Sequence, residues 1–257
     1  MRAEAGELRP LALAGARGTA GELARALGAG GDAGAIRNLS GGRLSSADLG
    51  GVSVLVYAVA EGAPDAADEA ALRVAERAGV RTVCVVAGAG TSVPPVPYVL
   101  AADVVPVAPG GSVPLERIAE RVAAAGGGSV AALAAALPAL RPAVCRETVQ
   151  RFSRANGLIG AAVFVPGVDL PVLALNQVRM VLRIAAAHRV EIDRERAPEL
   201  LAVLGCAIGL RTLARGAFSL LPGPGWAYKG GVAYAGTRAI GEAAIAYFES
   251  RAVRSGS

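Results

Sequence analysis

The first residues that could do chemistry are Gly15-Ala-Arg17-Gly18-Thr-Ala-Gly21-Glu22, which follow a short apolar run and open a helical stretch. A glycine turn between a strand and a helix is where an α/β nucleotide-binding domain cradles phosphate, because backbone N–H groups and the helix N-terminus point at the anion. Set against G-x-x-x-x-G-K-[ST], Gly15 matches, but Ala20 stands at the second glycine, Gly21 at the lysine and Glu22 at the Mg²⁺-binding hydroxyl. Glu22 would also bring a negative charge to the phosphates, and Arg17 is a weak substitute for the lysine. Gly15, Arg17, Gly18 and Gly21 are thus candidate cofactor-binding residues of a vestigial kind, and the simplest expectation is a tight strand-to-helix turn with no ligand. Asp48-Leu-Gly-Gly51 spells D-x-x-G but precedes an apolar strand instead of ending one, so it reads as a turn. Where N-K-x-D would read guanine, the chain gives Gly88-Ala-Gly-Thr91. The expectation is no catalytic residue, no metal and no cofactor.

The second set is arginines. Arg179 and Arg183, like Arg211 and Arg215, are four residues apart in apolar helical segments, so each pair shares one helix face. Measured at the helical rise from the nearest Pro-Gly turns, both pairs stand roughly 10–18 Å from one end of the helices. Phe164, Val165, Leu170, Leu220, Leu221 and Trp226 gather at that end. A belt of arginine below an apolar tip could meet headgroups while the tip enters the acyl boundary. The competing reading is a soluble bundle whose arginine stems cover the core while their heads reach water.

Composition narrows the classes. The chain has 257 residues, room for one large domain or two small ones. It has one His, His188, and Lys229 is its only Lys among 26 cations. A His-rich metal site is therefore excluded, as is a phosphate-loop lysine in the first half. Cys84, Cys145 and Cys206 lie far apart, which suits buried thiols in a reducing cytosol. Charge is divided: residues 1–128 carry −2 and residues 129–257 carry +7. The basic half calls for an anionic partner. Nucleic acid is excluded, since the arginines sit in apolar segments without aromatic interleaving. No single plausible helix offers about 18 uncharged residues, so no span is expected.

Two halves must position these residues. In the first, apolar runs at 11–14, 35–39, 52–59, 82–87 and 103–107 alternate with helical stretches at 20–27, 65–78 and 114–125, the last capped by Ser112. That alternation predicts a doubly wound parallel α/β sheet of the P-loop or G-domain kind over residues 1–128. Gly126-Gly-Gly-Ser129 reads as a linker. Residues 129–257 carry no strand signal. After 130–140 come helices at 143–164, 171–188, 198–221 and 226–253, whose short connections predict an antiparallel bundle. Asp169 reads as a helix N-cap, His188 as a helix C-terminal cation, and Asn176 and Gln177 as hydrogen-bonding to neighbouring helices.

The run from about Leu140 to Glu249 resembles the YcjF-like family of helical domains found beside or fused to GTPase domains. The residues that carry the likeness are Phe164-Val-Pro-Gly-Val-Asp169, Asn176-Gln-Val-Arg-Met180, Leu221-Pro-Gly-Pro-Gly225, Ala235-Gly-Thr-Arg-Ala-Ile-Gly241 and Tyr247-Phe248. The resemblance implies a GTPase-like first half and an association with membranes, and it supplies no catalytic residues.

Together these readings point to a non-catalytic, pseudo-GTPase-like protein of the cytoplasm. It would act as a peripheral membrane or assembly module at the inner membrane face, with a membrane surface, another protein or a second copy of the chain at the apolar tip. Two alternatives stay open: a divergent GTPase that keeps nucleotide binding through backbone amides, and a protein–protein adaptor with no membrane role.

Overall fold

A computed structural model describes residues 7–60, 62–89, 95–162, 170–190 and 225–255, in two compact units, Met1–Val144 and Cys145–Ser257. The first unit is a mixed α/β fold on a five-stranded, all-parallel sheet. The strands are β1 (Leu11–Gly15), β2 (Ile36–Asn38), β3 (Val54–Val59), β4 (Thr82–Val86) and β5 (Val104–Pro106), in the order β2-β1-β3-β4-β5. The chain steps one way from β1 to β2, then the other way from β3 to β5. This is a doubly wound order whose direction reverses between β1 and β3.

The sequence dictates this arrangement through apolar runs. Every residue of β3 and β4 is buried, as strands covered on both faces require. Ala12, Ala14, Leu55, Tyr57, Val59, Cys84 and Val86 form one core with Ala71, Leu72 and Ala75 of α2 (Ala66–Arg77). The alternate residues lie on the other face, where α1 (Arg17–Gly28) and α3 (Leu115–Gly126) pack on the strands. At the far edge, the Arg81 guanidinium and the buried Asp103 carboxylate are 2.8 Å apart and tie β4 to the turn before β5.

Three local expectations need correction. Ser112 does not cap α3: the helix starts two residues further on, at Leu115 after Pro114, without a side-chain cap. Residues 126–129 are a packed helical turn, not an open linker, with Ser129 Oγ donating to Gly126 O and a Cβ at Gly126 falling 2.1 Å from Val130 Cγ1. The stretch expected to open the helical half instead belongs to the first unit. There α4 (Val130–Ala136) and the turn Pro138–Leu140 bury Leu133, Leu137 and Leu140 completely. Asp32 N–H donates to Ala136 O at 2.9 Å, fixing that stretch beside α1.

The second unit is described through α5 (Arg141–Ala162), whose first turn lies in the first unit, α6 (Leu170–Ala187) and α7 (Gly225–Ser255). The expected helix at 198–221 lies outside the described residues. Contacts set the helix directions. Asn156 meets Asn176 and Cys145 meets His188, so α5 and α6 run antiparallel. Gln177 meets Thr237 and His188 stacks on Phe248, so α6 and α7 run parallel. Gly157 and Gly230 let α5 and α7 approach closely: a Cβ at Gly230 would lie 2.9 Å from Gly157 O.

α6 ends in a Schellman turn. Val190 N–H donates to Ala185 O and Arg189 N–H to Ala186 O, with Arg189 left-handed at φ 60°. His188 is therefore at the helix end, as expected, but its ring packs on Phe248 and near Cys145 Sγ, at 3.8 Å.

A buried polar layer joins the three helices. Asn156 Nδ2 and Asn176 Nδ2 donate at 2.8 Å to Thr237 Oγ1 and Asn156 Oδ1, respectively, and Gln177 Nε2 donates to Thr237 Oγ1 at 3.4 Å. Asn156 and Thr237 are wholly buried. Thr237→Val keeps the shape but strands two amide donors, so it should cost about 1–3 kcal/mol by urea unfolding. Thr237→Ser, which keeps the acceptor, should recover most of the loss.

Candidate functional site

The β1–β3 reversal opens a crevice at the C-terminal ends of the strands, where doubly wound sheets bind ligands. It encloses about 210 Å³ and is lined by Gly15, Gly41, Leu44, Tyr57, Asp65 and Asp68 among others. Gly15 is there for close approach: its φ is +90°, and a Cβ would lie 2.0 Å from Ala58 O, the acceptor of the Ala16 N–H. Gly18 and Gly21 are different. They sit inside α1, and nothing lies within 4 Å of a Cβ at either.

Among the described residues that line the crevice there is no cation. Arg17 does not reach into it as a lysine substitute: its guanidinium lies across the neighbouring loop and donates to Gly41 O at 3.2 Å. The opposite wall is acidic. Asp65 Oδ1 accepts from Ala67 N and Asp68 N, each at 2.8 Å, and Asp68 Oδ2 accepts from Asp65 N at 3.1 Å, a complete capping box for α2. Asp68 Oδ1 accepts from Tyr57 Oη at 2.9 Å. Both carboxylates are thus committed to structure, and a phosphate would meet their charge. Asp48 behaves as the turn residue expected of it, accepting from Ser45 N and Oγ at 2.9 and 2.6 Å. Among the described residues no cluster of three His, Cys, Asp or Glu side chains could hold a metal.

Comparison with protein-family models, with curated proteins and with solved structures finds no match to the chain. Two of the sequence motifs singled out above, around Asn176-Gln177 and Thr237, supply the polar layer.

In the second unit, the end where α5 stops and α6 and α7 begin is the expected apolar tip. Phe164, Val165, Leu220, Leu221, Arg211 and Arg215 lie outside the described residues, as does Asp169, and Trp226 is placed only by its backbone in the first turn of α7. Other aliphatics are exposed there: Leu158 at 72%, with Val172, Leu175 and Val232 near half. With Asn156, Asn176 and Thr237 taken as one level, they stand about 2–8 Å tipward of it at the helical rise. Arg151, Arg154, Arg179 and Arg238, all exposed, stand about 2–8 Å on the other side. Arg183, expected to share Arg179's role, is half-buried, its guanidinium 5.2 Å from the Phe152 ring centre.

Sequence reasoning missed Leu158, Val232, Arg151, Arg154 and Arg238. A visible signal pointed to them: α5 beyond Glu147, all of α6, and α7 before Glu242 contain no Asp or Glu. Among the described residues no helix is long and apolar enough to cross a membrane.

Two predictions follow from the crevice. Gly15→Ala should cost about 3 kcal/mol or more through strain and overlap. Gly18→Ala and Gly21→Ala should each stabilise by about 0.5–1 kcal/mol, as glycine replacements inside a helix do. Urea midpoints would measure all three, and Mg-GTP should leave them unchanged.

The second concerns alkaline pH. Burial, then the Asp68 charge, pushes the Cys84 thiol up to about 12. Burial, then its bond to Asp68, raises the Tyr57 phenol. The folded chain therefore holds protons that the unfolded chain has released. Stability should be full below about pH 9 and should fall as pH climbs towards 12. Tyr57→Phe should make that decline shallower in urea titrations.

Proposed function

We propose that this protein is a non-catalytic, pseudo-GTPase-like attachment module, with a P-loop-like α/β unit that has lost its phosphate chemistry and a helical-bundle unit that docks through its apolar end. The carrying observation is the arginine collar beside the polar layer, whose one acid among the described residues, Glu242, pairs with Arg238, with Leu158, Val172, Leu175 and Val232 exposed on its tip side. Burying one leucine or valine completely is worth about 1.5–3 kcal/mol, so an end that leaves four of them wet favours a partner.

The crevice supports the non-catalytic half of the reading. Its two carboxylates are consumed by the α2 cap and Tyr57, and its nearest arginine is held by Gly41 O. The YcjF-like resemblance agrees with both parts, pairing a helical domain with a GTPase-like one and placing it at membranes. In the cytoplasm, such a module would hold itself, or a partner bound to its α/β unit, at the inner membrane face or in an assembly.

The test is fractionation of cells producing the full chain. The parent should distribute to membranes or to large particles. Leu158→Asp combined with Val232→Asp should move at least nine-tenths, about a tenfold change in partition, into the small soluble fraction. A parent already confined to that fraction would overturn the reading.

A further inference from the structure

The three helices of the second unit change polarity along their length. On the Cys145 side of the polar layer they are built as in water. Val149, Met180, Ile184, Ala244 and Phe248 are buried, while Arg146, Gln150, Glu242, Glu249 and Arg251 are exposed. On the tip side the pattern is inverted. The buried residues described there are Gly160 and Gly230, backed by the amides and hydroxyl of the layer, and the exposed ones include Leu158, Val172, Leu175 and Val232. Small and polar residues inside with aliphatics outside is how helices pack in an apolar solvent, where close backbone approach and hydrogen bonds supply the cohesion. Lys229 is the one charged residue in the sequence of the described helix segments beyond the layer.

The inversion is shared by all three described helices. Leu158 is on α5, Val172 and Leu175 on α6, and Val232 on α7, and each helix packs on both others. The arginines are spread likewise: Arg151 and Arg154 on α5, Arg179 on α6 and Arg238 on α7.

We infer that this end enters an anionic phospholipid bilayer end-on, with Arg151, Arg154 and Arg179 at the headgroups and the α5–α7 tip in the outer acyl region. The inference rests on the attachment reading and names its partner. Charge complementarity selects the lipid class. Arg238 is neutralised by Glu242, 2.7 Å away, but Arg151, Arg154 and Arg179 pair with no carboxylate among the described residues. From the layer, α5 and α6 extend about 9 Å to their ends at the helical rise, comparable with the depth of an interfacial element. The start of α7 reaches roughly 18 Å by the same measure.

Trp226, the only tryptophan, lies in the first turn of α7 and reports insertion directly. The full chain would be mixed with vesicles of phosphatidylcholine alone or with phosphatidylglycerol added, then floated, and Trp226 emission would be read with lipids brominated in the acyl chain. We expect flotation with the anionic vesicles only, a blue shift and quenching of Trp226, and weaker binding at high salt. Each arginine at an anionic surface is worth about fivefold in affinity, so Arg151→Gln with Arg154→Gln and Arg179→Gln should lose about a hundredfold. Leu158→Asp with Val232→Asp should abolish quenching while far-ultraviolet circular dichroism stays unchanged.

Equal flotation on both vesicles, with the arginine variant unaffected, would overturn anionic recognition and leave attachment standing. Flotation without quenching would overturn end-on entry. No flotation, with a lipid-free particle that shrinks in the Leu158→Asp, Val232→Asp variant by sedimentation, would replace lipid by a second copy of the chain. No flotation with a particle of one size throughout would overturn this inference and the attachment reading alike.

Discussion

A buried amide must find a partner, and in the helical unit that constraint sets everything else. Asn156 lies where no water reaches it, and its oxygen and nitrogen are met by Asn176 and Thr237 from two other helices. An unpaired amide at such a place costs roughly as much as a good apolar contact gains. Sliding any one helix by a turn would separate these groups. The layer therefore fixes register, and register decides which arginines share a level and which aliphatics stand beyond it. The close approach of Gly157 and Gly230 serves the same end, since bulkier residues would hold α5 and α7 too far apart for the short Asn156–Thr237 bond.

The same constraint shapes the α/β unit with the opposite result. Its crevice is where a doubly wound sheet offers open amides and side chains to a ligand. Here the polar groups are spent internally. Asp65 and Asp68 satisfy the first N–H groups of α2 and each other, Tyr57 gives its hydroxyl to Asp68, and Arg17 gives its guanidinium to Gly41. In this crevice the described polar side chains serve the scaffold.

Much of this was legible in the residues. All five strands fall within the short runs that predict them, three of them Val-rich, because a strand buried on both faces leaves a continuous apolar signature. The roles of Asn176 and Gln177 were foreseeable because amides in an apolar helix need partners. Other features were hidden. That residues 130–140 belong with the sheet depends on burial of Leu133, Leu137 and Leu140, and Ala-Leu periodicity does not say which neighbour a helix chooses. Ser112 looked like a cap because Pro114 followed it, yet proline sits as well before a helix as within its first turn. The collar escaped notice because Arg151, Arg154 and Arg238 lie on helices far apart in sequence, and only the polar layer brings them to one level.

That layer also sets an order in time. Asn156 and Asn176 are 20 residues apart, whereas Asn156 and Thr237 are separated by 81. A ribosome adding about 5–20 residues each second needs about 4–16 s to cover the longer interval. Helices form within about a microsecond, so α5 and α6 have ample time to meet as a hairpin before α7 exists. During that wait Asn156 can meet Asn176 and Leu173 O of α6, while its second amide N–H stays in water. The last of the three helices to leave the ribosome closes the layer, and it carries the acceptor that removes the final water.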